Sequence, residues 1–276
     1  MTAETVLRVL YLSPVVGDGS EHLYATMAEE VRQPGTEVHY CTLPEGDGRF
    51  THIEYRTYEA LVTRGILRAV RQASKEGFDA FVIGCFYDTA LHDARELSGE
   101  MIVTGPCLAS CEIANSLANR FGIIVGRQKW VAQMEATVRG YGYGDRLAGF
   151  YPVDMGVNEF QCDHDVTAER LLAAGRKAVE EDHAEALILG CTAEIGFHEV
   201  LQRELGVPVI DPSTAALKHA EYMAGLKRTC NWLPSRKYSC EAPPEEELAL
   251  IGCFKDESDA FGTRVIAGPD MEGQTE

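Results

Sequence analysis

Phe78-Asp79-Ala80-Phe81-Val82-Ile83-Gly84-Cys85 is a short apolar run that stops at a glycine and a cysteine. It recurs as His183-Ala184-Glu185-Ala186-Leu187-Ile188-Leu189-Gly190-Cys191. The two cysteines stand 106 positions apart (191 − 85), and the same offset carries His92 onto His198, Val103 onto Val209, Pro106 onto Pro212 and Ala109 onto Ala215 without a gap. An apolar run of roughly four to eight residues closed by glycine reads as a buried strand. A repeated unit of strand and terminal thiol predicts two related halves. Each offers a thiol at the carboxyl end of a strand, where open parallel sheets bind ligands.

Outward from these two strands, short apolar runs alternate with longer stretches of helical periodicity, the pattern of parallel β/α units. Val6 to Leu12, Glu37 to Leu43, Ala80 to Ile83 and Met101 to Thr104 read as one set of strands. Phe121 to Val125, Leu147 to Val153, Ala186 to Leu189 and Val207 to Ile210 read as a second. Between them, Tyr58 to Lys75 predicts a long amphipathic helix with Ala60, Ile66, Leu67, Val70 and Ala73 on or near one face. Helices are also expected over Glu21 to Val31, Ala90 to Leu97, Cys111 to Asn119, Trp130 to Val138, Thr167 to Glu181 and Thr214 to Leu226, and each repeat is read as a strand ending at its cysteine where a helix begins. The fold class is therefore α/β, with two similar lobes. Each holds a four-stranded, mainly parallel sheet flanked by helices, the lobes are related by a pseudo-two-fold, and the active site is expected in the cleft between them. The first lobe is assigned 1–106 together with 213–276, which brings in the last helix, and the second 107–212. From about Lys227 the chain reads as a tail, with the acidic Pro243-Pro244-Glu245-Glu246-Glu247 and an end expected to be mobile.

At 276 residues there is enough chain to bury a substantial core. A formal charge of −18 with no basic run argues against nucleic acid as a partner. Nine cysteines, an odd number in a chain of this length, do not read as a disulfide framework. The start, Met1-Thr2-Ala3-Glu4-Thr5-Val6, lacks the basic and then apolar order of a signal peptide. No apolar stretch approaches the roughly 18 residues of a membrane span. The expectation is a reduced cytoplasmic enzyme with no nucleic-acid or membrane partner.

A thiol after a strand and ahead of a helix N-terminus feels the positive end of the helix dipole, which favours thiolate. With one of Cys85 and Cys191 as thiolate and the other as thiol, the pair can take a proton from one face of a carbon acid and return one to the other. That is racemisation without a cofactor. A thiolate can instead attack a carbonyl-like carbon and form a covalent intermediate. A single cysteine after a strand is ordinarily a small buried hydrophobe; that reading weakens for a matched pair at equivalent ends of a repeat.

Val82-Ile83-Gly84-Cys85-Phe86-Tyr87-Asp88, followed by Ala94-Arg95-Glu96, and Leu189-Gly190-Cys191-Thr192, followed by Val207-Pro208-Val209-Ile210-Asp211, resemble the two cysteine motifs of the aspartate/glutamate racemase superfamily. The Gly-Cys-Phe form and Arg120-Phe121-Gly122-Ile123-Ile124-Val125-Gly126 are most similar to its hydantoin racemase branch, and the likeness covers roughly residues 6 to 226. The resemblance implies two α/β lobes, no cofactor, and Cys85 and Cys191 as opposed acid and base. It also implies a small cyclic amide as substrate, such as a 5-substituted hydantoin. The enzyme is further expected to be a homo-oligomer. The chain departs from the family at Ser13-Pro14, where an Asn-Pro pair is common. It departs again at Gly105-Pro106-Cys107-Leu108-Ala109-Ser110-Cys111, which brings further thiols to the site.

The remaining candidates are assigned to substrate contact: Ser13, Thr192 and turn N–H groups for the amide edges of a ring, Phe86 beside the first cysteine, Cys107 and Ser110 from the departing segment, Arg127 for a carboxylate, and Glu194 as an assisting base. Each also has an ordinary structural reading as turn, core or surface chemistry. Cys107 and Cys111, four apart, share a helix face. With the other two thiols they allow zinc, which supports the alternative of a hydrolase or desulfhydrase acting on a hydantoin- or thiohydantoin-like ring. A third reading is a binding protein without turnover. His92 and His198 are expected to cap or solvate helices, and Cys162-Asp163-His164-Asp165 to form a helix N-cap. His52, Glu54, Tyr55 and Tyr58 lie in a polar connection that can serve as a lid.

Overall fold

The computed structural model describes residues 6–17, 19–254 and 260–268. In chain order the first set of elements is β1 (Leu7–Ser13), α1 (Glu21–Val31), β2 (Thr36–Thr42), α2 (Arg56–Lys75), β3 (Ala80–Ile83), α3 (Leu91–Leu97) and β4 (Ile102–Thr104). The second is α4 (Pro106–Leu117), β5 (Phe121–Val125), α5 (Gln128–Gly140), β6 (Leu147–Pro152), α6 (His164–Arg176), β7 (Ala186–Leu189), α7 (His198–Leu205) and β8 (Val209–Ile210). α8 (Pro212–Cys230), α9 (Glu245–Ile251) and β9 (Arg264–Ala267) follow. The described residues fall into two compact units. One is drawn from Met1–Gly84, Thr89–Thr104 and Leu217–Glu276, the other from Cys85–Asp88 and Gly105–Ala216.

The repeat in the sequence is a repeat in topology. One sheet has the order β4-β3-β1-β2-β9 and the other β6-β5-β7-β8. Read from β8, the second sheet runs β8-β7-β5-β6, the same connectivity as β4-β3-β1-β2. Every pairing in these two four-strand sets is parallel. The expected four strands hold for the second sheet, but the first has five. Its extra strand, β9, comes from the stretch read as a tail and runs antiparallel to β2, with Val38 opposite Ala267 and Cys41 opposite Arg264. Val265 and Ile266 are part-buried there, and β9 covers an edge that would otherwise expose unpaired backbone groups. The stretch before it also packs: Arg71 pairs with Glu245, and Arg236 donates to Ser98 Oγ at 3.0 Å and to the carbonyls of Arg95 and Gly99. The end expected to be mobile, 269–276, lies outside the described residues.

The strands that lead to the two cysteines, β3 and β7, each have a neighbour on both sides in their sheets. Phe81, Val82 and Ile83, and Leu187, Ile188 and Leu189, are wholly buried, each such side chain contributing about 1.5–3 kcal/mol relative to exposure. α2 buries Val62, Ile66, Ala69, Val70 and Ala73. Ala60 is exposed and Leu67 only part-buried, so the packed face is rotated from the one the sequence predicts, with Val62 and Ala69 in their place. Among the described residues no helix is long and apolar enough to cross a membrane.

Candidate functional site

Both cysteines are presented by the same local device. The N–H of Gly84 donates to the Leu12 carbonyl at 2.7 Å, and that of Gly190 to the Ile124 carbonyl at 2.7 Å. Each bond draws the end of the cysteine strand against its neighbour so closely that a Cβ has no place. At Gly84 it would lie 2.7 Å from the Leu12 oxygen, and at Gly190 2.5 Å from the Ile124 oxygen. This is the physical reason for glycine before each thiol. One turn then follows: Cys85 C=O accepts from Asp88 N–H at 2.9 Å, and Cys191 C=O from Glu194 N–H at 3.0 Å.

The helix read over Ala90 to Leu97 is α3, Leu91–Leu97, and α7 begins at His198, so neither helix begins at its cysteine as the strand-end reading expects. In the first copy Asp88 and Ala90 take left-handed φ of 52° and 57°, which a continuing helix does not allow. In the second, a 3-10 turn at Thr192–Glu194 is broken by Gly196 at φ 89°. The thiols therefore sit on single turns rather than on the first turn of a long helix. All nine cysteines are thiols rather than disulfides; Cys85 is part-exposed, Cys191 is 9% exposed, and Cys107 and Cys111 are fully buried.

Three residues after each cysteine stands an acid, and the two acids do different things. Asp88 caps α4 from a distance, its carboxylate accepting the N–H groups of Cys107 and Leu108, each at 2.9 Å, and the hydroxyl of Tyr141 at 2.9 Å. Gly105, the residue before α4, makes this possible, since a Cβ there would meet Asp88 Oδ1 at 2.3 Å. The repeat puts Asp211 at the place of Gly105. Asp211 caps α8 itself, with Oδ1 accepting from Ser213 N–H and Thr214 N–H at 2.9 Å each.

Glu194, the counterpart of Asp88, is thereby displaced from helix capping. It is wholly buried, and neither carboxyl oxygen has a hydrogen bond of normal geometry among the described residues. Burial pushes its carboxyl well above the usual carboxylate range; the Cys191 and Gly190 amides oppose this in part, and the charge of Asp211 adds to it. Asp211 is itself raised by burial, and its Oδ2 lies 3.9 Å from His198 Nδ1.

Cys107 is the second residue of α4 and its thiol is held protonated. The Cys111 thiol one turn on accepts from it, burial disfavours its charge, and Asp88 and Cys85 add negative potential. Its counterpart Ser213 is also buried, its Oγ donating to the Thr192 carbonyl at 3.5 Å. Ser110, on α4, is buried with no hydrogen-bond partner for its hydroxyl among the described residues. Phe86 is a core side chain at 2% exposure, and Thr192 is part-exposed at the head of the second cysteine turn.

Ser13 ends β1 in the other unit. Arg127 is brought to a different place, an open cavity of about 350 Å³ with Lys129, Asp154 and Glu159, lined by none of the cysteines. His92 is exposed on α3, and Asp163 caps α6 by accepting from Val166 N–H at 3.1 Å. Among the described residues no three His, Cys, Asp or Glu side chains are grouped to hold a metal ion. The roles of Asp88, Tyr141 and Asp211 escape a local reading of the sequence. The signal for them is in the repeat, where acids recur three residues after each cysteine and glycine faces aspartate at 105 and 211.

A model of the Asp/Glu/Hydantoin racemase family matches residues 13–220. A hydantoin racemase of Pseudomonas sp. (strain NS671) is 37% identical over 180 residues, 65% of this chain and 72% of its own. One from Paenarthrobacter aurescens is 32% identical over 242 residues, 87% of this chain and 99% of its own. Among solved structures, allantoin racemase from Klebsiella pneumoniae has a TM-score of 0.79 at 27% identity, covering 87% of this chain and 94% of that one. A glutamate racemase from Francisella tularensis shares the fold at a TM-score of 0.58 and 14% identity, covering 81% and 82%.

Proposed function

Because this chain belongs to the Asp/Glu/Hydantoin racemase family, and is an isomerase of that type, we propose that it racemises a 5-substituted hydantoin or a closely related ring without a cofactor. Cys85 and Cys191 are the acid and base of this reading. The observation that carries it is the duplicated device at the strand ends: Gly84 and Gly190 each bond the neighbouring strand at 2.7 Å and each deliver a thiol onto a single turn.

The hydrogen on the substituted ring carbon is acidified by the adjacent carbonyl. A thiolate on one side removes it, and the electron pair delocalises onto the carbonyl oxygen. The thiol on the other side then donates its proton to the opposite face of the carbon. The product is the mirror-image ring, and the two cysteines have exchanged protonation states. Thr192 and the N–H groups of the cysteine turns are suited to hold the amide edges and the developing oxyanion. Cys107, held as a neutral thiol, leaves the base role in the first copy to Cys85.

The test is NMR of a small panel of hydantoins and thiohydantoins in deuterated buffer, read together with optical rotation. Deuterium entering the ring carbon while rotation decays to zero supports the reading. Ring opening or release of sulfide without exchange contradicts it.

A further inference from the structure

The two copies differ where a second thiol stands beside the first. Cys107 occupies the place that Ser213 takes in the other copy. Asp88 ties Cys107 to the Cys85 turn through backbone and carboxylate together: its N–H donates to the Cys85 carbonyl at 2.9 Å, and its Oδ1 accepts the Cys107 N–H at 2.9 Å. Both cysteines belong to one compact unit, and after the Cys111 thiol, burial and Asp88, a negative charge at Cys85 would add to what holds the Cys107 proton. Cys85 is part-exposed, whereas Cys107 is sealed in α4 at 0% exposure and holds its proton. An oxidant from solvent therefore meets Cys85 first.

We propose that Cys85 and Cys107 form a reversible disulfide when Cys85 is oxidised by a hydroperoxide, so that the first copy of the site carries a redox modification site which the second, with Ser213, lacks. The Cys85 thiolate attacks the peroxide oxygen and becomes a sulfenic acid, the peroxide being reduced to water or the alcohol. The Cys107 sulfur then attacks the Cys85 sulfur. The S–O bond breaks, the Cys107 proton leaves with the hydroxyl as water, and one S–S bond remains. A dithiol restores both thiols by exchange. The reactivity of Cys85 assumed here rests on the two-thiol reading, but the product is identified by mass and not by turnover.

The experiment treats the full chain with hydrogen peroxide and maps peptides without reduction. The expected result is a Cys85–Cys107 linked peptide that dithiothreitol removes, with Cys191 passing to sulfinic acid in the same sample. Cys107→Ser, which installs the residue of the second copy, should convert Cys85 to sulfinic acid, at least tenfold faster than in the parent; Cys107→Ala serves the same purpose if the serine variant does not fold. Equal rates of Cys85 sulfinic acid formation in parent and variant, with no linked peptide, overturn the proposal, as does linkage of Cys85 to a different cysteine. Loss of racemase activity that dithiothreitol restores is a second readout. Linked peptide from a protein with no racemase activity supports the redox site while refuting the proposed function.

Discussion

Asp88 and Glu194 stand at the same place in the two copies, three residues after the cysteine, yet Asp88 accepts three hydrogen bonds and Glu194 accepts none of normal geometry among the described residues. The difference traces to one position elsewhere in the repeat. Gly105 leaves room for Asp88 to reach the head of α4, and Asp211 occupies the corresponding space at α8.

Replacing Asp88 by alanine should therefore cost more stability than an ordinary surface substitution. It leaves the buried Cys107 N–H and the Leu108 N–H at the head of α4 without acceptors, and the Tyr141 hydroxyl as well, a loss of about 2–4 kcal/mol. Asp88→Asn keeps an acceptor oxygen and should cost about half as much. Denaturant unfolding of both variants checks this; equal midpoints for alanine and parent would mean that the cap contributes nothing.

Glu194 makes stability fall with rising pH. The unfolded chain releases this proton near the ordinary value of 4.5, while the folded chain keeps it to a much higher pH. Between those limits the unfolded state binds fewer protons than the native state, so the unfolding free energy decreases as pH rises. Asp211, raised from 3.8, acts with the same sign. Glu194→Gln removes the larger contribution, so its denaturant midpoint should decline less than the parent's from about pH 4.5 upward. Parallel curves for the two proteins would show that Glu194 is ionised in the native state.

Gly84→Ala and Gly190→Ala should each destabilise by about 1–3 kcal/mol, because the added carbon meets the carbonyl of the neighbouring strand and the backbone must give way. They should also depress turnover beyond the loss of folded protein, since the thiol on the next residue moves with the backbone. Activity normalised to the folded fraction separates the two effects, and full normalised activity would mean that the close strand contact does not place the cysteine.

The parts of this protein that are legible in the sequence are those set by neighbouring residues. Ala80–Ile83 and Ala186–Leu189 announce themselves as buried strands because every residue is apolar, and the spacing of 106 relates them. β9 is four residues among loop chemistry, and its partner β2 lies more than 200 positions away, so no local pattern marks it. The helices after the cysteines start late because left-handed Asp88 and Ala90 interrupt the first. α4 starts early, at Pro106, because proline suits a first helical position and a remote carboxylate caps it. The cysteines and Glu194 can be picked from residue type and position. The exchange of capping duty between Asp88 and Asp211 needs the fold.

Each of Cys85→Ser and Cys191→Ser should lower racemisation by about 10²–10⁴-fold or more, since on the proposed mechanism each removes one of two proton-transfer groups. The enantiomer selectivity of what remains identifies the face each thiol serves. A variant that keeps its thiolate on one side should still exchange the hydrogen of one enantiomer without inverting it.

The most direct measurement follows ring-carbon deuterium by NMR for separate D and L hydantoins in deuterated buffer, with the parent and both serine variants. The account predicts exchange with inversion of both enantiomers in the parent, and in the variants loss of inversion, with any residual exchange confined to one enantiomer and that enantiomer different for the two cysteines. Undiminished inversion in either variant would contradict it.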